Sequence, residues 1–168
     1  MKYNNLYGIV GYFIFMIIFI YTIKKKSYSS NLDNIIYLLP VLGYILLSIN
    51  AYKHLISNEK HHNIVDNNIN EQEQKTKKIE IEYGHIFLAL FFLYNWYHKN
   101  TFYFLTGFIG NYFLILENKL SFLGYIYIIL YYLLHSIHIY NRTTIIKKTE
   151  LLGGILLIFY YLSGKIIN

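Results

Sequence analysis

The run Leu6-Tyr7-Gly8-Ile9-Val10-Gly11-Tyr12-Phe13-Ile14-Phe15-Met16-Ile17-Ile18-Phe19-Ile20-Tyr21-Thr22-Ile23 holds no charge, and Lys24-Lys25-Lys26 follow it at once. A helix rises about 1.5 Å per residue, so about 20 apolar residues cross a hydrocarbon core of roughly 30 Å. This run has that length and is closed by a basic cluster that stays out of lipid. A cleavable secretory signal would carry its basic residues in front and a small-x-small site behind. Here Lys2 alone precedes the run and no such site follows, so an uncleaved membrane anchor is expected.

The same pattern repeats along the chain. Uncharged segments lie at about 6–23, 35–51, 84–97, 101–116, 121–140 and 151–167, and only Lys165 places a charge inside these limits, near enough to an end to snorkel outward. An open strand leaves its backbone unpaired in lipid, and no alternating pattern of about ten-residue units suggests a barrel. The expected fold is therefore all-α: a polytopic integral membrane protein, residues 1–168 forming one membrane domain with about six transmembrane helices. Segments 84–97 and 101–116 are short, and four spans plus a re-entrant hairpin over 84–116, turning at Trp96–Thr101, is the alternative. Pro40 lies inside the second segment, where it deletes a hydrogen bond to the Ile36 carbonyl and predicts a kink. Residues 52–83, with the Asn-rich run Asn63–Asn70 and mixed charges after it, read as a hydrophilic, flexible loop.

Composition supports this reading. Of 168 residues 55% are hydrophobic, 20% aromatic and 14% charged, against about 25% charged in average soluble domains. The net charge of +6 arises from residues between apolar runs, where they act as topology signals; nucleic acid is not an expected partner. The absence of cysteine excludes disulfides, thiolate catalysis and cysteine-held metals. Twenty tyrosines stand beside two alanines (Ala51, Ala89), one arginine (Arg142) and one proline. That bias points to an AT-rich genome, so tyrosine abundance alone signals no aromatic site.

Lys24–Lys26 place the C-terminal end of the first span on the cytoplasmic side and the N-terminus outside. Six spans then put 24–34, 98–100 and 141–150 inside, with 52–83, 117–120 and both termini outside. This sorts the histidines. His54, His61, His62 and His85 fall outside, and His98, His135 and His138 inside. His135 and His138 are three residues apart on one predicted helix, with His98 able to approach from another, so the three form a candidate metal site for zinc, copper or iron. No carboxylate accompanies them at ligand spacing, and Lys99, Arg142, Lys147 and Lys148 would repel a cation. Interfacial histidines facing headgroups are the favoured reading, His85 included, and no cofactor is implied.

Polar residues within apolar runs are costly in lipid and mark function more often than in a soluble core. Asn95, Asn111, Glu117 and Lys165 are the candidates, with Ser48 and Thr106 milder. Asn111 follows Gly107 and Gly110, a spacing that permits close helix approach and an interhelical amide bond. The run Gly110–Leu116, followed by Gly124, resembles a Gly-Asp-x-x-Leu segment of lysoplasmalogenase-like membrane hydrolases. The likeness covers under a fifth of the chain, those proteins are longer with more spans, and Asn111 stands where the pattern has an acid. No potassium-filter sequence, Walker loop, dinucleotide fingerprint, nucleophile elbow or His-Glu-x-x-His occurs.

The expected role is a structural or accessory multi-pass membrane protein, with the lipid bilayer and further copies or other membrane proteins as partners. A small oligomeric transporter or pore using Asn95, Asn111, Glu117 and Lys165 is the alternative. A lipid-modifying enzyme using His98, His135 and His138 is the second.

Overall fold

A computed structural model describes residues 2–25, 31–61, 71–116, 121–140 and 144–163. The described residues form six helices and no strand: α1 (Lys2–Lys25), α2 (Asn31–His61), α3 (Glu71–Lys99), α4 (Phe102–Ile115), α5 (Ser121–Tyr140) and α6 (Ile145–Tyr161). Three of them, over Asn5–Lys25, Ile35–Ile56 and Ser121–Tyr140, are long and apolar enough to cross a membrane. α4 is apolar but has 14 residues, about 21 Å of rise.

Helix continues further into 52–83 than the sequence reading allowed. α2 runs through Pro40 to His61, and α3 starts at Glu71, so residues 52–61 and 71–83 are helical and the expected flexible loop does not extend over them. The composition explains the difference. Mixed charge argued against a core, but the Glu, Gln and Lys residues of 71–78 are strong helix formers, and an apolar helix supplies the nucleus on which they extend.

Among the described residues, close backbone approach occurs between α1 and α2, α2 and α3, α3 and α4, α4 and α5, α5 and α6, and α1 and α6, and between no other pair. The helices thus form a closed ring. Hairpin contacts run in opposite directions. Gly43 meets Leu88 while Gly84 meets Leu47, and Gly110 meets Ile128 while Gly124 meets Leu114. The ring closes with α6 antiparallel to α1, since Gly8 faces Tyr160, Gly11 faces Leu157 and Gly153 faces Ile14. Between α3 and α4 the chain reverses at Asn100, whose φ of 47° is the left-handed conformation that ends many helices. Its N–H reaches the Trp96 carbonyl at 2.8 Å.

Aromatic side chains fill the centre of the ring. Phe15 from α1 stacks on Tyr44 of α2 and meets Tyr132 of α5, both at 5.4 Å between ring centroids. The Tyr12 and Tyr161 hydroxyls bond to each other, and those of Tyr44 and Tyr132 lie 3.4 Å apart. Buried phenols thus find phenol partners, which removes the penalty of an unpaired hydroxyl. The outer surface exposes Leu6, Phe13, Ile17, Leu42, Leu90 and Phe159 among others. An apolar outside around a polar-tolerant inside is the arrangement a bilayer favours.

The glycine contacts predict a graded response to added methyl groups. A Cβ at Gly110 would stand 2.7 Å from Ile128 Cγ1 and 2.8 Å from the Ile128 backbone nitrogen, whereas at Gly154 the nearest atoms are Ser136 Oγ at 3.0 Å and the Tyr132 carbonyl at 4.0 Å. Gly110→Ala is expected to cost about 1–3 kcal/mol by forcing α4 and α5 apart, with Gly154→Ala much milder. Thermal unfolding in one detergent checks the order; equal melting temperatures for the two variants would contradict the packing.

Candidate functional site

The end of the ring carrying Lys24, Lys25, Lys99, Lys147 and Lys148 contains a cavity of about 560 Å³ to which all six helices contribute. That volume lies within the roughly 300–1,000 Å³ of ordinary ligand sites. Phe15, Phe91 and Tyr131 supply buried floor, Phe104 and Tyr103 a wall, and Lys25, Lys99 and Thr144 are exposed at the mouth.

The polar wall is built by the α5–α6 hairpin. His135 Nε2 lies 2.7 Å from Glu150 Oε1, and Lys147 Nζ donates to Glu150 Oε2. An ionised Glu150 only accepts, so Nε2–H of His135 is the donor. Both side chains are close to 90% shielded, at 11% and 9% exposure, while Lys147 is half-buried at 38%. The imidazole stacks on Tyr131 at 5.6 Å and 10°. Its Nδ1 is shut off from solvent and has no hydrogen-bond partner among the described residues.

Lys99 has a different setting. Its Nζ donates to the Tyr37 hydroxyl at 3.1 Å and sits 5.2 Å from the Phe104 ring centroid. An aromatic face attracts the ammonium through its quadrupole, so both contacts hold the charge over the mouth. Neither Lys99 nor Lys25 meets a carboxylate among the described residues.

The structure separates the three histidines proposed as one metal site. His135 is buried, whereas His98 and His138 are exposed, His98 beside the rings of Tyr94 and Tyr97 and His138 beside Tyr103. Among the described residues, no three His, Asp or Glu side chains gather as metal ligands. The physical reason is angular. Three helical residues advance about 300°, which leaves His138 roughly 60° from His135 around α5 and one turn nearer its end. That offset moves it from the ring interior to the surface.

His85 is also placed differently from its interfacial expectation. Because α3 starts at Glu71, His85 lies well inside the helix, 4% exposed, with Nδ1 2.8 Å from Asn111 Oδ1 on α4. Asn111 Nδ2 donates to the Gly107 carbonyl at 2.7 Å, which leaves Oδ1 as the acceptor for His85 Nδ1–H. Asn111 is thus interhelical glue. Asn95 is buried too, but donates back to Phe91 within its own helix. Thr106 likewise bonds the Tyr103 carbonyl. Glu117 and Lys165, and His62 of the outer pair, lie outside the described residues.

Glu150 is absent from the sequence-based candidates, which include no carboxylate beside the histidines. One signal pointed to it. In an antiparallel helix pair, residues equidistant in sequence from the middle of the connection face each other, and His135 and Glu150 lie equally far from the midpoint between the end of α5 and the start of α6.

No protein family, curated protein or solved structure matches the chain. The likeness at Gly110–Leu116 therefore has no family match behind it, and the site is read from its own geometry.

Removing one partner of a buried hydrogen bond to a carboxylate leaves the other unpaired, which costs more than the bond contributes net. His135→Ala and Glu150→Ala are each expected to destabilise the protein, and the double variant by less than their sum, with a coupling of about 1–3 kcal/mol. A double-mutant cycle on unfolding free energies measures this, and strict additivity would refute the contact.

Proposed function

We propose that the chain is a six-span integral membrane protein that receives the anionic head of an amphipathic molecule in the cavity at its basic end. The observation that carries this is a cavity lined by two ammonium groups, on Lys25 and Lys99, that meet no carboxylate among the described residues, with an aromatic floor in the same cavity. Charge at the mouth and apolar surface below match an amphiphile entering tail first. A binding protein of this kind suits an accessory role in a membrane assembly, the reading the sequence favoured, and gives that role a ligand.

Six spans are supported by the ring. α3 and α4 pack on both their neighbours like the other helices, which a shallow re-entrant hairpin would not require. The Lys24–Lys26 cluster that closes the first span favours a cytoplasmic cavity end and an outside N-terminus. The aromatic plug of Tyr12, Phe15, Tyr44 and Tyr132 argues against conduction through a single ring. His98 and His138 are exposed while His135 is buried, which gives a three-histidine enzyme less support than the cavity gives ligand binding.

Topology is testable directly, because the chain has no cysteine of its own. Single substitutions Lys24→Cys, Lys99→Cys and Lys148→Cys are expected to react with an impermeant thiol reagent from one face of sealed vesicles, and Ser57→Cys from the other. Labelling of Lys99→Cys with Ser57→Cys would refute six spans.

For ligand binding, the purified protein in neutral detergent is offered dodecanoate or dodecanol and bound ligand is counted by native mass spectrometry. Dodecanoate is expected to bind about tenfold better, and Lys25→Gln with Lys99→Gln to abolish the difference. Equal retention of the two by the unaltered protein would overturn the reading.

A further inference from the structure

The charges around the cavity narrow the kind of head group it takes, and this step rests on the amphiphile-binding reading above. Four fixed charges line the cavity: the ammonium groups of Lys25, Lys99 and Lys147 and the carboxylate of Glu150. Glu150 is already engaged at both oxygens, one by His135 and one by Lys147. Lys147 and Glu150 therefore compensate each other within the wall. Two positive charges remain, and they stand at the mouth.

Lys99 is held in place there. Its bond to the Tyr37 hydroxyl and its seat over Phe104 fix the ammonium while using only one of its three N–H donors. Lys25 ends α1 and lines the same cavity. A carboxylate or a phosphodiester brings a single negative charge and leaves one ammonium unmatched. A phosphomonoester brings about −1.5 to −2 at neutral pH and three acceptor oxygens, enough for both lysines at once. Beneath the mouth, Phe15, Phe91 and Tyr131 offer apolar surface to a hydrocarbon chain. We infer that the cavity selects single-chain amphiphiles that end in a phosphomonoester.

The experiment compares dodecyl phosphate, methyl dodecyl phosphate, dodecanoate and inorganic phosphate on the full chain in neutral detergent. Dodecyl phosphate is expected to bind roughly tenfold more tightly than the diester or the carboxylate near pH 7.5. Its advantage over the diester is expected to fade toward pH 5, because the second phosphate proton titrates near pH 6. Inorganic phosphate, lacking the chain, is expected to be on the order of 100-fold weaker. Lys25→Gln, at an exposed position that leaves the core untouched, is expected to erase the monoester preference while dodecanoate binding stays within about threefold. Lys99→Gln is expected to do the same.

Diester and carboxylate binding as tightly as the monoester would overturn the head-group assignment and leave the amphiphile reading standing. Inorganic phosphate binding as tightly as dodecyl phosphate would assign the site to a free anion and overturn the inference. Failure of every amphiphile to bind would overturn both readings.

Discussion

The contact between α1 and α6 turns a string of hairpins into a closed object. It depends on backbones lying close together where Gly8 and Gly11 face Tyr160 and Leu157 and Gly153 faces Ile14. A Cβ at any of these positions would come within 3 Å of a neighbouring side chain. In lipid no hydrophobic force draws helices together, so dispersion contacts at small residues and polar bonds between helices have to suffice. Closure also has a parity condition. With every helix antiparallel to the one before it, an even number brings the last beside the first in the opposite sense, as α6 and α1 are.

Closure makes an inside, and the inside concentrates polar groups that lipid would penalise. Two buried polar contacts bridge hairpins: His85 to Asn111 between α3 and α4, and His135 to Glu150 between α5 and α6. They differ in consequence. The first joins a buried imidazole to a buried amide and ties α3 to α4. The second includes a carboxylate, which needs compensation when shielded from water, and Lys147 supplies it from one turn away on α6. This wall of the cavity is therefore a self-neutralised unit, and the field at the mouth comes from Lys25 and Lys99.

Much of the architecture was legible because its cause is local. A long uncharged run reads as an apolar helix whatever surrounds it, and α1, the apolar part of α2 and α5 follow the expected limits closely. The reversal at Asn100 falls inside the expected turn. Glu71–Tyr83 is helical although its polar composition suggests irregular backbone, because its Glu, Gln and Lys residues favour helix. The site was harder to read because its cause is not local. Burial of His135 and exposure of His138 are set by the angle at which α5 meets its neighbours. Partnership of His85 with Asn111 depends on where α3 begins, far from either residue. Tyrosine abundance carried no message as composition, yet position by position it decides the core. Tyr12, Tyr44, Tyr132 and Tyr161 sit on four different helices and meet only because the ring closes.

The lysines at the mouth connect topology to binding. A charge that keeps a helix end out of the hydrocarbon during insertion has no reason to face the interior of the bundle, and Lys24 and Lys148 meet that need from exposed positions. Lys99 is arranged beyond it, since Tyr37 from α2 and Phe104 from α4 both hold its ammonium over the cavity. Fixing a long side chain in one place carries an entropic cost that a topology signal does not require. That cost is offset in part by the hydroxyl and ring contacts, and more fully by an anion. In the proposed reading, the same physical feature, a positive charge at the end of an apolar helix, would first orient the chain in the bilayer and then receive the head of an amphiphile.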